Sequence, residues 1–151
     1  MEFKDIADFK TMIGKDLPPS VWMTITQEMI DSFAKATQDF QWIHEDTPRT
    51  WKESPFKKPI AHGFMSVSLL SHLLEKTMSI QSSKMGVNYG LNKVRFPHPL
   101  PVGSRVRLCA TVASVEDYEP NGMKATWNCV VEIEGVEKPA CVAEWVGLMF
   151  E

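Results

Sequence analysis

The sequence has few cysteines and no long apolar run. Among its 151 residues are 3 cysteines, an odd number with no CxxC pair, so the pattern indicates neither a zinc site nor a disulfide framework. No apolar stretch approaches the roughly 18 residues of a membrane-spanning helix, and the N-terminus has no basic region followed by an apolar block. These absences predict a soluble cytoplasmic protein with reduced, buried thiols.

An excess of charge of one sign is also missing. The 16 basic and 19 acidic residues leave a net charge of −3, which gives no overall attraction to nucleic acid or to an anionic membrane. Apolar residues make up 44% of the chain, enough for a folded core, so a disordered chain is excluded. Because no repeat or linker divides the sequence, we expect residues 1–151 to form a single domain.

Helical signals dominate the first half of the chain. Thr26 can cap a helix over 27–37, and Thr47 followed by Pro48 marks the start of a second, shorter helix. Residues 62–76 are apolar on nearly all sides at helical spacing, which predicts one long buried helix.

Strand patterns fill the rest of the chain. Alternation of apolar and polar residues predicts strands over 88–96, 105–115, 124–134 and 140–150. Asn121-Gly122 is a strong hairpin signal because both residues accept the positive φ of a tight turn. Consecutive strands joined by short turns imply an antiparallel sheet. A long buried helix followed by such a meander predicts an α+β fold in which the sheet curls around the helix.

The densest group of ionisable residues follows the first helix. Asp39 and His44 are separated by bulky apolar residues, and such a loop can direct a carboxylate and an imidazole into one apolar pocket suited to proton transfer. The same residues also fit a simpler interpretation, a helix cap and a surface or core histidine, because this spacing often occurs by chance.

Gly63, at the start of the predicted long helix, and the basic stretch 84–107 are each open to two interpretations. Gly63 leaves backbone N–H groups free to bind developing negative charge, or it merely lets another element approach closely. His62 is interpreted as an ordinary helix-start histidine, with a catalytic role as the alternative. The basic stretch 84–107, which contains no acidic residue, is either a solvated strand face or a site for an anionic ligand such as a nucleotide diphosphate.

Residues 36–74 resemble the hydratase signature of MaoC-like proteins, the (R)-specific enoyl-CoA hydratases. That signature is a Gly-Asp-x-Asn-Pro-(Ile/Leu)-His run, followed about 15 residues later by Pro-Ile-(Ala/Val)-His-Gly. The chain departs from it at Gln38, which replaces the Gly, and at Gln41-Trp42, which replace Asn-Pro. With residues 88–107, NYGLNKVRFPHPLPVGSRVR, the sequence is most similar to the nodulation protein N-like branch.

The resemblance implies a hot-dog fold, in which an antiparallel sheet wraps around a long central helix, and a homodimer or higher homo-oligomer. It implies that Asp39 and His44 are the catalytic acid–base pair and that Gly63 is the oxyanion-hole glycine. It also implies that Ser71 is a serine near the catalytic acid, and that Ser71 and Gln41 contact substrate. The implied reaction is hydration of a trans-2-enoyl thioester, or dehydration of a 3-hydroxyacyl thioester. The thioester of CoA or of an acyl carrier protein is then the substrate, and neither a metal nor a redox cofactor is required.

Two other functions fit the same signature. A hot-dog acyl-CoA thioesterase would hydrolyse the thioester, and a non-catalytic module would only bind it. If CoA is the carrier, its phosphates lie at the tunnel mouth, and we expect one or two of a set of four cations to contact them. These are Lys57, Lys58, Lys93 and Arg95, whereas Arg105 and Arg107 are expected to be merely solvated.

Overall fold

The computed structural model describes all residues, Met1–Glu151. Its elements in chain order are β1 (Glu2–Phe3), α1 (Ile6–Phe9), β2 (Met23–Thr24), α2 (Gln27–Thr37), α3 (Pro48–Glu53), α4 (Gly63–Ser68), α5 (Leu70–Glu75), β3 (Ser79–Ile80), β4 (Met85–Arg95), β5 (Arg105–Tyr118), β6 (Gly122–Ile133) and β7 (Val136–Phe150). Short 3-10 turns lie at Lys10–Met12 and Trp42–His44. None of the helices has the length and apolar content that crossing a bilayer requires.

The main sheet has five antiparallel strands in the order β2-β5-β6-β7-β4. The hairpin between β5 and β6 turns at Asn121, which has a φ of 48°, so the Asn-Gly prediction is confirmed. The prediction that consecutive strands pair is confirmed for β5, β6 and β7 only. β4 does not pair with β5, the next strand along the chain, because the proline-rich segment 97–101 carries the chain away. It pairs instead with β7, from Met85 opposite Phe150 to Arg95 opposite Val142.

The inner face of the sheet and the central helices share one core. The alternating residues of β5 and β6 are buried as their pattern predicts, and they belong to the same cluster as Met65 of α4 and Leu70, Leu73 and Leu74 of α5. A curled antiparallel sheet packed on a helix is the predicted hot-dog architecture, and the α+β class is confirmed. Because the apolar face of the sheet needs a cover, the helices lie against it.

Both predicted helix caps are present. The hydroxyl of Thr26 accepts from the backbone N–H of Met29 at 3.3 Å, and the hydroxyl of Thr47 accepts from that of Thr50 at 3.3 Å. The first cap fixes the start of α2, whose far end positions the candidate site.

The prediction of one long buried helix over 62–76, apolar on nearly all sides, is wrong in two respects. Leu69 separates α4 from α5, and Phe64 is 73% exposed. The Ser68 hydroxyl donates to the carbonyl of Phe64 at 2.8 Å, a bond one turn back of the kind that bends helices. Phe64 is exposed because no element of this chain covers that side of α4.

The three cysteines are unpaired. Cys129 and Cys141 are buried, and burial raises the pKa of the Cys129 thiol to about 12 and that of Cys141 to about 11. Such thiols stay protonated and unreactive at neutral pH. Cys109 is only partly buried, so the prediction of buried thiols is confirmed for two of the three.

Candidate active site

The end of α2 determines where Asp39 lies. Gln38 caps the helix in the left-handed conformation, with a φ of 62°, and turns the chain sharply. A non-glycine residue there costs about 1 kcal/mol, which explains why the family signature has Gly at this position. The Gln38 side chain donates to the carbonyl of Lys35 at 2.7 Å, which stabilises the turn locally. The replacement of Gly by Gln therefore keeps the shape of the turn.

His44 is buried, with 7% of its surface exposed. Its Nδ1 lies 2.6 Å from the carbonyl oxygen of Ile60, and the backbone N–H of Ile60 donates to Ile43 at 3.1 Å. Because a carbonyl only accepts, Nδ1 carries the proton and Nε2 carries the lone pair in neutral His44. Burial lowers the pKa of His44, and the bond to Ile60 offsets part of that effect. His44 is therefore a neutral base at pH 7.

Asp39 lies at the open side of the same cluster. Its side chain is 53% exposed, and its Oδ2 is 4.0 Å from Nε2 of His62. Its Oδ1 accepts from the backbone N–H of Gln41 at 3.4 Å, a long contact. The carboxylate is thus loosely held and open to a ligand.

His62 joins these two residues. Its ring stacks on that of His44 with a centroid distance of 3.7 Å and an interplanar angle of 23°. Its Nε2 lies 3.0 Å from the backbone carbonyl of Asp39. The sequence interpretation did not assign His62 to the site, although it lies in the second motif of the signature. The structure therefore brings Asp39, His44 and His62 together.

Asp39, His44 and His62 also meet the spacing of a metal site, since one ligand atom from each lies within 4.8 Å of the others. The Nδ1 of His44 and the Nε2 of His62 both face carbonyl oxygens and carry the protons of the neutral rings, so the lone pairs lie on His44 Nε2 and His62 Nδ1. The His62 Nδ1 is buried without a hydrogen-bond partner. The lone pair of His44 Nε2 is able either to accept a proton or to bind a metal ion, so the hydrogen bonds are compatible with both uses.

Gly63 begins α4, directly after His62. Its backbone N–H donates to no acceptor in this chain, so it is free for a ligand oxygen. A Cβ at this position would also lie 2.7 Å from Cδ2 of Phe96, closer than real Cβ contacts come. Both interpretations of the glycine, an open donor and a close approach, are therefore compatible with the structure.

The structure does not bring Ser71 to this cluster. The Ser71 hydroxyl donates to Oδ1 of Asn88 on β4 at 3.2 Å. It lines a cavity of about 240 Å³ between the central helices and β4, together with Tyr89, Leu91 and Trp145 among others. Neither Asp39 nor His44 lines that cavity.

Gln41 contributes its backbone rather than its side chain. Its carbonyl accepts from the backbone N–H of His44 at 3.0 Å, which closes the 3-10 turn. Its side chain is exposed and makes no hydrogen bond within the chain, so it is free to reach a ligand.

The six cations named in the sequence prediction fall into two groups. Arg105 pairs with Glu134 at 2.9 Å and Arg107 with Glu132 at 2.7 Å, so these two arginines are paired across β5 and β6 rather than merely solvated. None of the four cations expected to contact phosphate forms an ion pair. They are Lys57, Lys58, Lys93 and Arg95, and their charges are available to an anion.

Comparison with known proteins finds a match to the MaoC like domain over residues 8–132. The chain is 48% identical over 142 residues to 3-hydroxyacyl-thioester dehydratase Z of Mycobacterium tuberculosis, covering 94% of this chain and 93% of the relative. It is 41% identical over 145 residues to Nodulation protein N of Rhizobium leguminosarum bv. viciae, covering 95% and 90%.

Solved structures share the fold. An (R)-hydratase from A. caviae involved in PHA biosynthesis matches with a TM-score of 0.70 and 25% identity, covering 89% of this chain and 94% of that one. The HadBC (3R-hydroxyacyl-ACP dehydratase) complex from Mycobacterium tuberculosis matches with a TM-score of 0.67 and 13% identity, covering 91% and 96%. At that identity the second match shows the fold alone, in a protein that assembles as a complex.

Proposed function

The chain belongs to the MaoC-like domain family, and on that premise we propose that it is a hydro-lyase that interconverts trans-2-enoyl and 3-hydroxyacyl thioesters. The single observation that carries this proposal is the hydrogen bond of His44 Nδ1 to the Ile60 carbonyl, which leaves Nε2 of His44 unprotonated in the cluster that also contains the Asp39 carboxylate. A buried neutral imidazole next to an accessible carboxylate is an acid–base pair.

In the hydration direction, the substrate is an enoyl thioester and one water molecule. Water is a weak nucleophile, so Asp39 and His44 hold it by accepting one hydrogen bond each from its two O–H groups. His44 Nε2 then takes one proton as the water oxygen attacks the β-carbon. Electrons of the double bond move toward the thioester carbonyl, and a proton returns from the pair to the α-carbon. The sum is one added water, and the dehydration is the same path reversed.

The thioester oxygen gains negative charge as the bond electrons move. We propose that the free N–H of Gly63 donates to this oxygen, a contact that strengthens as the enolate forms and therefore accelerates the step. Gln41 lies in the first motif of the signature, its side chain is exposed and makes no hydrogen bond, and it is the second proposed substrate contact. Ser71 lines the cavity beside β4 and is the proposed contact for the acyl part.

The reaction as derived needs no metal and no redox cofactor, because only protons and water are exchanged. The carrier is CoA or an acyl carrier protein. We propose that residues 1–151 act as one domain, and that the cytoplasm, where free thiols stay reduced, is its compartment.

We also propose that the protein is a homodimer joined through β4. This strand lies at one edge of the sheet and is exposed over almost its whole length, including the apolar side chains of Met85, Val87, Tyr89 and Leu91. An exposed apolar edge strand is a template for pairing with another strand. A second copy placed with its β4 antiparallel to the first would satisfy the free backbone groups and cover the apolar residues.

Two alternatives share this scaffold. In a thioesterase, Asp39 would activate water for attack on the thioester carbonyl instead of the β-carbon. In a binding module, the acyl thioester would bind without any reaction. The paired imidazole and carboxylate favour hydration, since hydrolysis by a carboxylate alone has no use for a second base held by Ile60.

The decisive experiment mixes the protein with short- and medium-chain trans-2-enoyl-CoA. We expect loss of the conjugated double bond without release of free thiol. Release of thiol would assign the protein as a thioesterase, and saturable binding with neither change would assign it as a binding module. Chiral analysis of the product then identifies the stereochemistry of the added hydroxyl.

A further inference from the structure

His62 contacts two aromatic rings and is almost fully buried, with 2% of its surface exposed. It stacks on His44, and it also meets the ring of Phe33 of α2, with a centroid distance of 5.0 Å and an interplanar angle of 50°. This packing fixes the plane of the imidazole. His62 therefore presents its nitrogens in fixed directions.

The partners of the two nitrogens identify the tautomer. Nε2 lies 3.0 Å from the Asp39 carbonyl oxygen, so it must donate and carries the proton in neutral His62. Nδ1 then carries the lone pair, and it is buried with no hydrogen-bond partner. A lone pair that reaches neither solvent nor a donor has no access to a substrate proton. His62 is thus placed to donate one hydrogen bond and not to exchange protons in the reaction.

That hydrogen bond restrains Asp39, the residue of the site with the fewest restraining contacts. Asp39 follows Gln38, which is in the left-handed conformation, and its side chain is half exposed. The His62 bond restrains the Asp39 backbone, and the side chain of Asp39 accepts only the 3.4 Å contact from the N–H of Gln41. Without the His62 bond, nothing ties the Asp39 backbone to the segment that leads into α4.

From this geometry we propose that His62 is a positioning residue: its Nε2–H holds the backbone of Asp39, and its ring supports that of His44. The proposal rests on the proposed function for its kinetic consequences. A carboxylate displaced by about 1 Å from its working position can cost about 100-fold in rate, so loss of this bond should slow the reaction.

Two variants separate the bond from the stacking. His62→Phe keeps a flat ring in contact with His44 and Phe33 but lacks a donor, whereas His62→Gln supplies an amide N–H at the reach of Nε2. On a trans-2-enoyl-CoA, we expect kcat of His62→Phe to fall about 10- to 100-fold with KM within about twofold, and His62→Gln to recover most of the loss. His72→Gln, at an exposed histidine of α5, is the matched control and should behave as wild type.

Recovery by Gln is the outcome that a merely space-filling His62 would not give. If His62→Phe turns over as fast as wild type, or if His62→Gln is no better than His62→Phe, the positioning role is wrong. Should His62→Phe fail to fold by circular dichroism, His62→Leu, which also lacks a donor and is smaller, takes its place.

A second measurement is independent of activity. Nitrogen NMR of the wild-type imidazoles should show His62 with the proton on Nε2, and the amide signals around Asp39 should move in His62→Phe but not in His62→Gln. A proton on Nδ1 of neutral His62 would overturn the proposal. A wild-type protein that shows these NMR results yet hydrates no enoyl thioester would overturn the proposed function alone.

Discussion

The ring of Phe96 lies directly against the backbone of Gly63, where a side chain on that residue would be. A Cβ on Gly63 would come within 2.7 Å of Phe96 Cδ2 and 2.9 Å of Phe96 Cγ. Phe96 follows β4 and Gly63 begins α4, so the contact joins the edge strand to the helix start that carries the proposed oxyanion donor. Phe64 extends it with an edge-to-face contact to Phe96 at 6.0 Å. A Cβ at position 63 would therefore displace the Phe96 ring, whether or not the N–H of Gly63 binds substrate.

Replacing Gly63 by Ala should therefore disturb the packing. We expect Gly63→Ala to lower the free energy of unfolding by about 1–3 kcal/mol, because the new methyl group forces the Phe96 ring to move. In Gly63→Ala/Phe96→Ala the methyl group has room, so the double variant should be more stable than the sum of the single effects predicts, by about 1 kcal/mol or more. Urea unfolding of all four proteins measures this, and strict additivity would contradict the close contact.

The acid–base pair is tested by removing one group at a time. We expect Asp39→Asn and His44→Ala each to lower kcat at least about 100-fold on an enoyl thioester, without unfolding the protein, because each removes a proton carrier. Asp31→Asn, an exposed carboxylate of α2 that bonds only Gln27, is the control for a lost charge and should keep full activity. Full activity in either site variant would show that the pair is not catalytic.

Local patterns predicted much of this molecule. Thr26 and Thr47 indicated two helix starts because a cap depends only on neighbouring backbone groups. The Asn121 turn could be predicted for the same reason. The pairing of β4 with β7 could not, since a strand's neighbour depends on how the chain crosses the fold and not on its alternation.

The candidate site shows the same division. The family signature indicated Asp39, His44 and Gly63, and the fold brings the first two into one cluster. The stacking of His62 on His44 joins residues that are distant along the chain, so no spacing rule reveals it. The buried state of His44 likewise depends on the segment that covers it, so the direction of its pKa shift is a result of tertiary structure.

The pH dependence of the reaction follows from His44. Burial lowers the pKa of His44 from the ordinary value of 6.5, and only the unprotonated imidazole accepts a proton from water. We therefore expect the half-maximal point of kcat/KM on the acid side to lie below pH 6.5, with a decrease of about tenfold per pH unit at pH values well below that point. A profile of kcat/KM against pH tests this, and a half-maximal point at or above 6.5 would contradict a base in this environment.

The proposed dimer is tested at the edge strand. Tyr89→Lys and Leu91→Lys each place a charge on exposed apolar positions of β4, and we expect each to convert dimers into monomers. Val142→Lys puts the same charge on an exposed position of β7, away from the edge, and should leave the assembly unchanged. Sedimentation velocity distinguishes the two states. Dimers that persist in both β4 variants would show that another surface joins the subunits.

The last prediction concerns the cations without acidic partners. If the carrier is CoA, its phosphates remain outside the acyl cavity, and Lys57, Lys58, Lys93 and Arg95 carry charges that no acidic side chain neutralises. Because the nucleotide end does not change between ground and transition states, replacing all four by Gln should raise KM for an enoyl-CoA about fivefold or more at low ionic strength, with kcat nearly unchanged.

Salt and a matched variant complete that test. The effect on KM should shrink as salt is added, because exposed charges are screened over about 10 Å at 0.1 M salt. Arg105→Gln/Arg107→Gln removes two cations that are already paired with Glu134 and Glu132, so KM should stay the same in that control. The same KM in the fourfold variant at low salt would mean that these cations face only solvent, and that phosphate recognition, if CoA is the carrier, lies elsewhere on the protein.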